Sequence, residues 1–179
     1  MRGVFSEYAG TMTMVSRIYI DATAAHVMRL ESELKYPHET GGILLGTIEG
    51  DTAAIGHASG PGPKAQHTRY RFVRDGAYAQ HVLESILASS GGTQDYLGEW
   101  HSHPSRSPVS HRDRSSMRWI SRNKSYDCKY PLMVIMMRVH EGGWQLRAYQ
   151  WQEGSLARIS VEVREDMRRY LEDFRRLHS

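Results

Sequence analysis

The chain has 179 residues, 40% of them hydrophobic and 24% charged, which suffices for one domain with its own core and argues against wholesale disorder. Its 23 Lys and Arg against 20 Asp and Glu leave a net charge of +3, too small an excess by itself to name nucleic acid as a partner. Cys128 is the single cysteine, which excludes an internal disulfide and a multi-cysteine zinc cluster; any bound metal must rely on histidines and carboxylates.

The N-terminal stretch has no uninterrupted apolar run followed by a small-residue cleavage site, and no segment approaches membrane-spanning length. A cytoplasmic protein without a membrane partner is expected. Residues 1–15 read as weakly structured, and 16–179 as one domain ending in an amphipathic helix. From Asp21, the spacing of Ala24, Val27, Met28, Leu30 and Leu34 predicts a helix closed by Pro37. "ETGGILLGTIEGDTAAIGHAS" reads as two strands turning at Glu49-Gly50-Asp51, with Glu39 at the entrance of the first. A Gly/Pro-rich loop follows, then a short strand over Tyr70 to Val73 and a helix from about Asp75 to Ser89, ended by Gly91-Gly92. "YLGEWHSH" alternates as a strand that Pro104 terminates. Ser110 caps a helix running to about Asn123, "PLMVIMMRV" is a buried central strand, "WQLRAYQW" is its hairpin partner, and a strand lies near Leu156 to Val161. Val163, Met167, Tyr170, Leu171, Phe174 and Leu177 have helical spacing against a basic face.

Chemistry concentrates in "GEWHSHPSRSPVSHRDR". In an extended strand, side chains two residues apart share a face, so His101 and His103 aim at one point while Ser102 faces away. Asp113, in the first turn of the following helix, can add a carboxylate to that point if the intervening loop folds back. Two histidines and one carboxylate suit a catalytic zinc ion with an open position. Such a site needs a separate carboxylate base, for which Glu39 and Glu99 are the candidates. Glu99 shares the facing of the two histidines and is alternatively a partner for one of their rings. Ser110 can offer a hydroxyl to an oxyanion. Taken singly, a His-x-His pair at a strand end and a Ser-x-x-Asp helix cap are ordinary structural features.

The combination of "ETGGILLG", "HSHP" and Ser-x-x-Asp resembles the JAMM (JAB/MPN-type) metallopeptidase family over roughly Arg17 to Val139. The resemblance implies an α/β (α+β) fold: one JAB/MPN-type domain whose mixed β-sheet is flanked by helices in a cytidine-deaminase-like three-layer arrangement. It implies Glu39 as general base, His101, His103 and Asp113 as ligands of one zinc ion, and Ser110 as the oxyanion-assisting serine. It also implies cleavage of the bond after the C-terminus of ubiquitin or a ubiquitin-like protein. The sequence is most similar to a bacterial branch found beside ubiquitin-activating-like or conjugating enzymes in antiviral (CBASS-type) operons. One departure is that Pro104 to Val109 make six residues between His103 and Ser110, where the family usually has seven. Two other readings stand beside the hydrolase. One is a catalytically silent scaffold or protein-binding module. The other is a nucleic-acid-binding accessory protein, suggested by Arg112, Arg114, Arg118, Arg122 and Lys124, although a solvated basic helix face, or one that meets an acidic surface on a protein substrate, accounts for the same residues.

Overall fold

The structure, a computed structural model, describes residues 14–107, 109–166 and 176. Strand β1 (Arg17–Asp21) leads directly into helix α1 (Ala22–Lys35), because the Asp21 carboxylate accepts a hydrogen bond from the Thr23 N–H and caps the first turn. Strands β2 (Gly41–Glu49) and β3 (Thr52–Ala58) form the expected hairpin. A small separate ribbon, β4 (Gln66–Thr68) and β5 (Arg71–Val73), precedes α2 (Gly76–Ser89), whose N-terminus is capped by Asp75. Then come β6 (Asp95–His103), α3 (His111–Arg122), β7 (Leu132–Arg138), β8 (Trp144–Gln152) and β9 (Ser155–Arg164).

Seven strands form one closed sheet in the order β1-β3-β2-β6-β7-β8-β9, with β1 completing the ring by parallel pairing to both β3 and β9. This closure goes beyond the expected flanked sheet. "RIYI" is too short to advertise its strand, and its pairing partners lie 35 and more than 140 residues away. Helix α1 packs against β1, β2, β3, β6, β7 and β9, so the sheet wraps around it.

Strand β7 shows why its sequence is apolar throughout. Leu132, Val134 and Met136 join a cluster with Ala24 and Met28 of α1. Met133, Ile135 and Met137 point the other way, into a cluster with Leu83 of α2 and with Met117 and Ile120 of α3. A strand covered on both faces loses the alternation of a half-exposed one. The mixed sheet thus has α1 on one face and α2 and α3 on the other, as anticipated.

Two boundaries differ from expectation. Strand β4 lies within the stretch read as loop, because three residues are too few to show a period. Val163, assigned to a C-terminal helix, belongs to β9, which is held on both sides by β8 and β1. The other residues of that stripe, Met167, Tyr170, Leu171, Phe174 and Leu177, and the N-terminal residues to Thr13 lie outside the described residues. No helix among the described residues is long and apolar enough to cross a membrane.

The double glycine of "ETGG" is a packing requirement. A Cβ on Gly42 would sit 2.1 Å from the Ser59 carbonyl oxygen, and one on Gly41 2.2 Å from that of Trp100. Gly42→Ala is therefore expected to lower stability by about 1–3 kcal/mol through overpacking of a sheet that cannot move apart. A urea unfolding midpoint indistinguishable from wild type would show that the strands can separate.

Candidate functional site

Strand β6 runs between β2 and β7, with His101 opposite Gly41 on one side and Ile135 on the other. Pairing continues one step beyond β2: the Ser102 N–H donates to the Thr40 carbonyl at 2.7 Å, and the Thr40 N–H donates to Ser102 Oγ at 3.0 Å. Ser102 is fully buried and faces away from the two histidines beside it, as the alternation requires. Its hydroxyl thereby fixes the backbone next to Glu39.

Glu39 is held a second time by the β4–β5 ribbon. Its N–H donates to the Thr68 carbonyl at 2.8 Å, and its own carbonyl lies 3.0 Å from His67 Nδ1. The ribbon is tied in turn to α3 through Arg112, which donates to the Tyr70 carbonyl at 2.7 Å. Burial raises the proton affinity of the Glu39 carboxyl, an effect opposed by the charge of His101 and reinforced by that of Asp113.

The two imidazoles converge, with His101 Nε2 and His103 Nε2 2.9 Å apart. Asp113 reaches both: Oδ1 is 3.2 Å from His101 Nε2, and Oδ2 is 3.6 Å from His103 Nε2. Helix α3 delivers this carboxylate through a capping box. Ser110 Oγ accepts from the Asp113 N–H at 3.1 Å, and the Ser110 N–H donates to Asp113 Oδ2 at 2.6 Å. The six-residue spacer still brings Asp113 to the histidines, and it supplies a contact of its own: the Ser107 carbonyl lies 3.1 Å from His103 Nδ1. A carbonyl only accepts, so Nδ1 carries the ring proton and Nε2 turns its lone pair toward the cluster.

This donor set fits a metal ion. His101, His103 and Asp113 place their ligand atoms within 4.8 Å of one another. The shortest approaches between the three groups, 2.9, 3.2 and 3.6 Å with the last two to different oxygens of Asp113, are close to the roughly 3.3 Å between ligand atoms about 2.0–2.1 Å from a shared tetrahedral ion. Burial, and then the neighbouring His101, lower the proton affinity of His103, which favours the neutral ring that ligation needs. At His101, burial acts downward but is outweighed by the hydrogen bond and charge of Asp113, and the net shift is upward. Asp113 itself lies well below the ordinary carboxylate range, since the contacts with His101 and the Ser110 N–H overcome burial.

Of the residues singled out from sequence, Glu39, His101, His103, Ser110 and Asp113 are thus gathered at one end of β2, β6 and α3. Glu99 is not among them. Its carboxylate binds the Arg74 guanidinium, which also donates to Tyr126 Oη at 2.6 Å, and no hydrogen bond links it to either imidazole. His111, close in sequence, is exposed at the start of α3 and outside the cluster. Cys128 is buried, and its thiol is pushed up to about 12, which removes it as a nucleophile. The Thr40–Ser102 clamp and the ribbon under Glu39 carried no signal in the sequence beyond β-forming residues around Thr68-Arg69-Tyr70-Arg71.

A family model of the prokaryotic homologs of the JAB domain matches residues 21–152, which include every one of these side chains. The chain belongs to that family. Among curated relatives of this JAB-domain protein, a CD-NTase/cGAS isopeptidase of Pseudomonas aeruginosa is 33% identical over 129 residues, covering 72% of this chain and 78% of the relative. A protein of the same name from Vibrio cholerae is 36% identical over 113 residues, 61% of this chain and 70% of its own. A probable metalloprotease, y4qB of Sinorhizobium fredii, is 27% identical over 126 residues, 69% of this chain and 77% of its own. The solution structure of protein DSY2949 from Desulfitobacterium hafniense superposes with a TM-score of 0.64 at 15% identity, covering 83% of this chain and 93% of that one, a likeness of fold alone.

Two outcomes are expected from this geometry. Ser102→Ala strands the buried Thr40 N–H and is expected to cost about 1–3 kcal/mol, with faster hydrogen exchange at the Thr40 amide. In metal-free protein, Asp113 is more acidic folded than unfolded, so it contributes stability above its unfolded value of about 3.9 and loses that contribution as the pH falls through its folded value. Asp113→Asn should therefore flatten the acid limb of the stability curve below about pH 4. An acid limb as steep as that of wild type would assign acid sensitivity to other carboxylates.

Proposed function

We propose that this protein is a zinc-dependent isopeptidase that hydrolyses the bond after the C-terminus of a ubiquitin-like protein. In this reading His101, His103 and Asp113 hold one zinc ion, Glu39 is the general base and Ser110 is an oxyanion donor. The observation that supports it most is the convergence of two imidazole nitrogens and a carboxylate at the end of β6, beside a separate, doubly anchored glutamate at the start of β2.

A zinc ion bound by that group supplies a Lewis acid for the scissile carbonyl and lowers the pKa of a water toward neutrality. Glu39, whose proton affinity burial raises, takes a proton from the attacking water and hands it to the leaving amine. Its backbone is fixed by Thr68 and His67, so little reorganisation accompanies the transfer. The capping bond of Ser110 uses Oγ only as an acceptor, which leaves the hydroxyl hydrogen to donate to the carbonyl oxygen as it gains charge. Donors of this kind contribute about 2.7–4 kcal/mol in comparable acyl-transfer sites.

The names of the relatives, CD-NTase/cGAS isopeptidases, support a conjugated protein in a bacterial CD-NTase/cGAS system as the substrate class. We further propose, from the sequence resemblance alone, that the conjugate is made by activating and conjugating enzymes of the same antiviral operon and is cleaved in the cytoplasm.

Purified protein should bind close to one zinc ion and release a ubiquitin-like protein from a C-terminal fusion. Glu39→Gln is expected to lower kcat by at least about 10²-fold with the metal content unchanged, whereas Asp113→Ala loses both. Full activity in Glu39→Gln would overturn the assignment of the base.

A further inference from the structure

A groove of about 770 Å³ runs along α3, on the side that faces Lys129, Tyr130 and the β8–β9 turn. Arg114, Arg118 and Arg122 form one wall, Lys129 stands across from them, and Glu153 is the sole carboxylate in the lining. Its near end is His111, the residue after Ser110 at the start of α3; the side chains of the His-His-Asp cluster do not line it.

Three observations mark this as a binding surface rather than a solvated helix face. The lining carries four cations and one acid. Arg114, Arg118 and Arg122 stand four apart with no acidic side chain between them, although like charges at that spacing destabilise a helix. Among the described residues no carboxylate pairs with Arg118, Arg122 or Lys129, so the charge of the row is not neutralised within the chain.

We infer that this groove binds an extended acidic segment of the protein substrate. The term substrate rests on the hydrolase reading above; the binding does not. Four helical residues rise about 6 Å, close to the roughly 6.6–6.8 Å between side chains on one face of an extended peptide, so carboxylates at alternate positions meet successive arginines. Guanidinium groups favour carboxylates through paired N–H donors. The arginine row is about 12 Å long, the span of some five extended residues, and Glu153 on the far wall opposes a continuous phosphate backbone.

The test uses the full-length protein and a labelled peptide with glutamate at three alternate positions, beside the same peptide with glutamine there, read by fluorescence anisotropy. The acidic peptide should bind at least tenfold more tightly, lose affinity as salt is raised, and lose at least tenfold in R118E/R122E. R118K/R122K should retain most of the binding, and circular dichroism with metal analysis verifies that both variants are intact. Equal binding of the two peptides, or acidic binding that survives R118E/R122E, overturns the proposal. So does a single-stranded oligonucleotide of equal length that binds more tightly and is lost in the same variant. Because the readout requires no turnover, acidic binding without cleavage of any fusion would count against the hydrolase alone.

Discussion

The antiparallel pairing of β2 with β6 is the constraint on which the rest depends. It places Gly41 opposite His101 and extends through Thr40 and Ser102, so a residue at the mouth of one strand and two histidines at the end of its neighbour reach the same place. The close approach is possible because positions 41 and 42 lack a Cβ. A register slip of one residue would turn His101 and His103 to the buried face and bring Ser102 to the cluster, since side chains alternate with a period of two. The hydrogen bond between the Thr40 amide and the Ser102 hydroxyl is specific to the observed register.

The second constraint is electrostatic. Two imidazoles and a carboxylate lie in van der Waals contact in a half-buried site, and part of the pairing between His101 and Asp113 consists of a shared proton. A cation satisfies the same donors without that proton, and the backbone contacts outside the cluster already favour this state. Ser107 orients the His103 ring, and the first turn of α3 orients Asp113. The neighbouring Glu99, paired with Arg74, adds a smaller upward push to the proton affinity of His101.

The regular elements were legible from sequence where a pattern repeats long enough to show. Helix α1, the β2–β3 hairpin, α2, the Ser110 cap and the apolar β7 all came from spacing and end signals. Short or distantly paired pieces did not. Strand β4 has three residues, β1 is identified by partners far away in the chain, and Val163 fits a helical stripe as well as a strand until β1 pairs with it. The Glu99 ambiguity was resolved by Arg74, twenty-five residues distant.

By itself, the sequence determined which chemistry is available: two histidines on one face of a strand, a capped aspartate after a short loop, a glutamate before a double glycine, and a single cysteine that excludes a multi-cysteine metal cluster. Local rules suffice for these, because strand alternation and helix caps act over a few residues. Only the tertiary structure decided that the six-residue spacer brings Asp113 to the histidines, that a small ribbon grips Glu39, that β1 closes the sheet, and that the arginines of α3 line a groove with Lys129 and the β8–β9 turn. Those are relations between segments distant in the chain, set by packing and by hydrogen bonds that no local pattern encodes.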